Sequence, residues 1–182
     1  MQDNMANKFK IITALLIGIF AAIFMCNYLL ESKVLLSLTI TSGVFAYHFV
    51  MRLTVGFIIN EIFHNDISYD LKWFRTHRFE KKLYSFLKVR KWKKHIPTYL
   101  PETFSVDRKF TDIAKATCQA EIVHEVIAVL SFAPILLAIP FEDFWIFAST
   151  SVASSLIDMT FVIVQRYNRP RILKMILKGK NK

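Results

Sequence analysis

The sequence predicts an all-α integral membrane protein, a four-helix bundle with an amphipathic helix along its cytoplasmic surface. Three observations predict it. Apolar residues make up 54% of the 182 residues and gather into four long runs. Charged residues, 21% of the chain with a net charge of +10, fall largely between those runs. One interval between runs interleaves aromatic and basic side chains. About 20 apolar residues cross the hydrocarbon core of a bilayer, so each run is long enough to span it. The length fits one membrane domain, residues 1–182.

The first span, residues 9–30, is nearly all apolar. It exceeds a signal-peptide core, and bulky Cys26-Asn27-Tyr28-Leu29-Leu30 offers no small-x-small cleavage site, so an anchor is expected. The second span, residues 34–60, is interrupted by His48 and Arg52, with Glu61 just beyond it. The third, residues 122–141, opens beside Glu121, His124 and Glu125, and the fourth, residues 144–164, carries Asp158. Cys26 falls within the first span and Cys118 just before the third, so neither a disulfide nor a metal-ligand spacing is expected.

Charge placement orients the spans. The interval 64–121 holds 13 Lys and Arg, and the tail from Arg166 holds seven. The N-terminus offers Lys8 and Lys10. The short loops Glu31-Ser32-Lys33 and Glu142-Asp143 are poor in positive charge. Basic loops stay cytoplasmic. Both termini and the middle interval are therefore expected on that side of the cell membrane.

The middle segment, residues 66–110, reads as a surface-lying region. Phe79, Leu83, Phe86 and Leu87 recur at helical spacing, and basic residues fill much of the remainder through Trp92. That is the pattern of an interfacial helix on anionic lipid. Nucleic-acid binding is the rival reading of such a stretch. Tethering to spans on both sides argues against it. Ile96-Pro97 and Leu100-Pro101 are expected to stop the helix, with a loop over residues 102–109 and Ser105 or Asp107 capping the next helix.

Ionisable groups at membrane depth are costly and so are candidate functional groups. His48 and Arg52 are four apart and share a helix face. Glu121, His124 and Glu125 share another. Asp158, seven residues before Gln165, lies about 10 Å inside the fourth span. His124 is the candidate base, oriented by Glu121 or Glu125. Arg52, Arg166 and Arg169 are candidates to hold a phosphate or carboxylate. Transfer of an acyl group to a hydroxyl needs such a base, a stabilised oxyanion and a groove for the chain. The structural alternatives stand beside these readings: a helix-end histidine in a polar cluster, and His48 and Arg52 snorkelling or pairing with Asp158 or Glu61. Cys118 reads as a small packing residue, with a nucleophile as the alternative.

The most specific motif follows the fourth span: Gln165-Arg166-Tyr167-Asn168-Arg169-Pro170-Arg171. Together with Glu80, the run from Leu87 through Trp92 to Pro97, Ala120-Glu121-Ile122-Val123-His124 and the second-span stretch His48 to Leu53, it resembles the glycosyl-4,4'-diaponeurosporenoate acyltransferase family. The resemblance runs over about residues 45–173. Three places depart from that family's pattern. Glu125 replaces an aromatic residue, Asp158-Met159-Thr160 stands where Asn-x-Pro is usual, and Lys93-Lys94-His95 lacks an acidic residue.

The resemblance implies transfer of a fatty acyl chain to a sugar hydroxyl of a glycosylated lipid in carotenoid synthesis. It implies an activated acyl thioester as co-substrate, no resident cofactor, and membrane lipids as partners. Glu121, His124, Arg166, Asn168, Arg169 and Arg171 become its candidate site, and the helix near Trp92 a guide for the acyl chain. A non-enzymatic scaffold or lipid-binding accessory protein is the alternative. A reductase or methyltransferase is a third reading, and the chain's four glycines form no phosphate loop for its nucleotide.

Overall fold

A computed structural model describes residues 5–96, 109–141 and 144–180. The expected stop at Pro97 and Pro101, the loop and caps at Ser105 and Asp107, and the Glu142-Asp143 loop lie outside the described residues. What is described is helical: α1 (Met5–Leu30), α2 (Lys33–Phe63), α3 (Arg78–Phe86), α4 (Val89–Trp92), α5 (Phe110–Leu130), α6 (Ala138–Phe141) and α7 (Phe144–Lys180). Tighter 3-10 turns cover Lys72–Phe74, Lys93–His95 and Ala133–Leu137.

Four stretches are long and apolar enough to cross a membrane: Met5–Leu30, Lys33–Phe63, Phe110–Phe141 and Phe144–Gly179. The shortest, at 26 residues, extends about 39 Å at the helical rise. That exceeds the roughly 30 Å hydrocarbon core. Lipid-facing surface accounts for their exposure, as at Leu15 and Leu156, each 61% exposed.

Tertiary contacts divide the chain into two compact units. The first joins residues 1–56 to 127–156. In it Phe9 stacks on Phe49 with centroids 4.9 Å apart. Gly43 lets α1 and α2 approach: a Cβ there would meet the Phe20 ring at 2.9 Å. Ile40, Val44 and Phe147 form a small core, with Ile135 and Ala138 against it.

The third span breaks inside this unit. Pro134, at the start of the Ala133–Leu137 turn, has no N–H to give the Leu130 carbonyl, which a continuing helix would require. The Tyr47 hydroxyl donates to that carbonyl instead, at 2.9 Å. The repair matters in lipid, where no water is on hand for a stranded carbonyl. Next to the break, the Ser131 and Ser154 hydroxyls lie 2.9 Å apart, and Arg52 donates to Ser154 Oγ at 2.9 Å and to the His48 carbonyl at 3.1 Å.

The second unit joins residues 57–126 to 157–182. Here α2 ends in two left-handed residues, His64 and Asn65, with φ of 47° and 58°. Such residues close helix C-termini. Gln119 fixes this exit by accepting from the Asn65 amide at 2.7 Å and donating to Asn60 at 3.2 Å. Ile67, Phe74 and Cys118 pack together with Tyr69 and Ile122, so the buried Cys118 is a packing residue.

Two expectations are corrected in this unit. The amphipathic stretch through Trp92, expected as one helix, forms two, because Lys88 adopts a left-handed φ of 50° between α3 and α4. The basic tail beyond Val164 is not separate from the fourth span, since α7 runs unbroken to Lys180 with Pro170 inside it. Pro170 has no amide hydrogen to give the carbonyl of residue 166, and the helix continues past it.

Candidate active site

The second unit gathers most of the expected site residues, in three groups. In the first, His124 of α5 and Asp158 of α7 meet: Nδ1 lies 2.9 Å from Asp158 Oδ1. The Asp158 side chain is 1% exposed and that of His124 is 23% exposed. Phe161, one turn beyond Asp158, stacks flat on the imidazole with centroids 4.6 Å apart and planes 9° apart. The carboxylate and the ring fix the imidazole, while Nε2 takes no hydrogen bond among the described residues. A carboxylate on Nδ1 holds the tautomer whose Nε2 can accept a proton.

Glu121, the expected partner of His124, is used elsewhere. Fully buried, it forms ion pairs with Arg166 and Arg169, each at 2.6 Å. Glu125, the other expected orienter, accepts from the Trp73 indole at 2.9 Å. The residue that orients His124 is therefore Asp158, 34 positions away in sequence.

The second group surrounds the arginines of the exit motif. Arg166 Nε and Nη2 donate to the two Glu80 oxygens at 3.0 and 2.8 Å. Its other donors reach Glu121 at 2.6 Å, the Trp73 carbonyl at 3.1 Å and the Arg75 carbonyl at 3.3 Å. A guanidinium has five N–H groups, so Arg166 is fully spent. Arg169, 1% exposed, donates to Thr117 Oγ1, Thr117 O and Phe74 O and lies over the Phe74 ring. Both arginines, expected to hold substrate, are paired with protein groups in this structure. Arg166 has no N–H left over for a phosphate.

Glu80 had no assigned role in the sequence, yet it is 5% exposed and central. It accepts from the His77 amide at 3.1 Å, the Tyr84 hydroxyl at 2.5 Å and Arg166 twice. Burial pushes its pKa up, but hydrogen bonds from Arg166, Tyr84 and the His77 amide, with the Arg166 charge, outweigh burial and leave it at about 2. Tyr84 moves the other way: burial and its bond to the Glu80 carboxylate raise the phenol well above its usual range. The available signal was the spacing of Glu80 and Tyr84, four apart on one face of α3. The apolar face of the same helix is the stronger periodic signal, and that face points outward, with Phe79 at 65% and Phe86 at 82% exposure.

The third group lies around Tyr167. Lys93 Nζ and Arg171 Cζ each stand 4.8 Å from its ring centroid. Lys93 donates to Asn168 Oδ1, and Arg171 donates to the Tyr167 hydroxyl at 3.0 Å. Asn168 and Arg171 thus share one place with Lys93, a residue with no expected role. Trp92 has a structural duty: its indole donates to the Leu87 carbonyl at 2.9 Å, closing the α3–α4 joint. The remaining expected residues, His48 and Arg52, belong to the first unit, where His48 is buried with its ring edge-on to Tyr47.

No curated protein and no solved structure matches this chain. A family model does, that of glycosyl-4,4'-diaponeurosporenoate acyltransferase, over residues 70–178. The matched segment contains all three groups and leaves out the second-span resemblance at His48 to Leu53. It takes in 109 of the 182 residues, from 70 through 178. With the four apolar helices, the match identifies a multi-pass membrane protein that belongs to the glycosyl-4,4'-diaponeurosporenoate acyltransferase family.

Proposed function

We propose that this acyltransferase moves a fatty acyl chain from an activated thioester to a sugar hydroxyl of a glycosylated, carotenoid-like lipid at the cytoplasmic interface. The observation that carries the reading is the pairing of His124 with buried Asp158. His124 Nε2 takes the hydroxyl proton as the oxygen attacks the thioester carbonyl. The tetrahedral intermediate then collapses, the C–S bond breaks, and the imidazolium returns its proton to the leaving sulfur. An ester and a free thiol result. Asp158 holds the imidazole and stabilises its charged form.

The sidedness rests on charge: the interval 64–121 and the tail from Arg166 hold 20 of the 24 Lys and Arg, as 13 and seven. Both termini are then cytoplasmic. The outward face of α3, Phe79, Leu83 and Phe86, rests on lipid beside the basic residues of that helix. Comparative lipid mass spectrometry tests the reading, in cells lacking the gene and in cells complemented by wild type or His124→Ala. Loss of one acyl-chain mass, restored by wild type alone, is expected. Coincident lipid profiles would overturn the reading.

A further inference from the structure

The exit-motif cations are of two kinds. Arg166 has given all five N–H groups to protein, whereas Arg171 gives one, to Tyr167. Among the described residues Lys93 gives one of its three, to Asn168. Burial lowers the Lys93 pKa, and the charges of Arg171 and of Arg90, exposed on α4, lower it further. Among the described residues no carboxylate pairs with Lys93, Arg90 or Arg171. Like charges gathered in this way repel, and an anion between them removes the repulsion. Each cation stands 4.8 Å from the centroid of the Tyr167 ring, which draws both to it at the cost of a single donor, the one Arg171 gives the Tyr167 hydroxyl.

We propose that Lys93 and Arg171, gathered on Tyr167 beside Asn168 and flanked by Arg90, form the seat of a phosphate group. The phosphate belongs to the carrier of the acyl donor or to an anionic lipid headgroup. Open donors on Arg171 suit two phosphate oxygens at once, and the Lys93 ammonium suits a third. The Asn168 side-chain amide adds a neutral donor, since its oxygen is turned to Lys93. The choice of carrier rests on the acyl-transfer reading; the phosphate seat does not.

The test uses the full chain in phosphatidylcholine nanodiscs, with pyrophosphate and coenzyme A as soluble probes and tryptophan fluorescence or equilibrium dialysis as readout. Saturable, salt-sensitive binding is expected. Lys93→Gln and Arg171→Gln should each weaken it about tenfold, the scale of one charge-assisted hydrogen bond. Lys93→Arg should retain most of it and guards against a folding defect. His124→Ala should bind as wild type does. Repeating the titration with phosphatidylglycerol in the discs separates the sources. Unchanged coenzyme A binding supports the donor carrier, and competition that depends on Lys93 and Arg171 supports the headgroup.

The proposal is overturned if neither probe binds, or if binding ignores both substitutions. Binding without any acyl transfer would remove the reaction and leave the seat standing. Transfer without binding of either probe would remove the seat alone, and binding with an unchanged donor KM in both Gln variants would assign the seat to the headgroup.

Discussion

Arg166 and Glu80 meet side-on through two hydrogen bonds, from Nε and Nη2 to the two carboxylate oxygens at 3.0 and 2.8 Å, across 86 positions of sequence. The pair ties α3 to α7, and through Glu121 it also ties both to α5. Each member is saturated. Glu80 accepts four hydrogen bonds, and Arg166 donates five. Buried ion pairs hold only when their remaining lone pairs and protons find partners. Here both do.

Arg166→Lys should therefore be severe despite keeping the charge. Lysine brings three donors on a point charge and cannot reach Glu80 in the two-point fashion while serving Glu121 and two carbonyls. Breaking one partner of a buried pair costs about 3–5 kcal/mol. A large fall in apparent Tm of the detergent-solubilised protein is expected. Arg171→Lys, in the exposed group, should leave it nearly unchanged. Equal effects of the two substitutions would refute the distinction between spent and open arginines.

Acid should expose the same pair. Folding lowers the Glu80 pKa from 4.5 to about 2, so its ionised form stabilises the fold. That contribution is complete above about pH 4.5 and is lost as pH falls toward 2. Tm measured against pH for wild type and Glu80→Gln should show a constant gap above pH 5. Between 4.5 and 2 the gap should narrow. A gap that widens with acid would mean that Glu80 is not held ionised by Arg166.

The spans were legible in the sequence because their signal is one of bulk: four apolar runs, each of bilayer length. The site was legible residue by residue but not pair by pair. His124 and Asp158 both stood out as ionisable groups at membrane depth. Their contact depends on the relative rotation of α5 and α7, which sequence spacing does not encode. Glu121 and His124, three apart, suggested a pair by helical spacing. Two arginines 45 and 48 residues downstream of Glu121 claimed it instead, since a fully buried carboxylate draws the nearest cations. Lys93 was hidden among five basic residues from Lys88 to Lys94, separable only once Tyr167 comes near.

Tyr47 offers a test of the break in the third span. Its hydroxyl serves the Leu130 carbonyl that Pro134 leaves without an amide. Tyr47→Phe should cost about 0.6–1.5 kcal/mol, the range for one such hydrogen bond in lipid or protein. In a Pro134→Ala background the helix regains an amide for that carbonyl, and the same substitution should cost little. A double-mutant cycle on thermal unfolding reads the coupling. Additive costs would show that the hydroxyl does not compensate for the proline.

Substitutions at Asp158 separate orientation from charge in the proposed reaction. Asn keeps an oxygen for the His124 Nδ1–H but loses the negative charge beside the imidazolium. Ala loses both. If the carboxylate acts mainly by holding the ring, Asp158→Asn should keep much of the acyl-transfer rate while Asp158→Ala approaches the loss in His124→Ala. Removing a general base typically costs about 10²–10⁴-fold. If its charge matters more, Asn and Ala should fall together. Phe161→Leu gives a third point, since it loosens the ring's stacked face and leaves the carboxylate in place. Initial rates at matched membrane insertion distinguish these cases. Full activity in Asp158→Ala would exclude the pair from the chemistry and return His124 to a structural role.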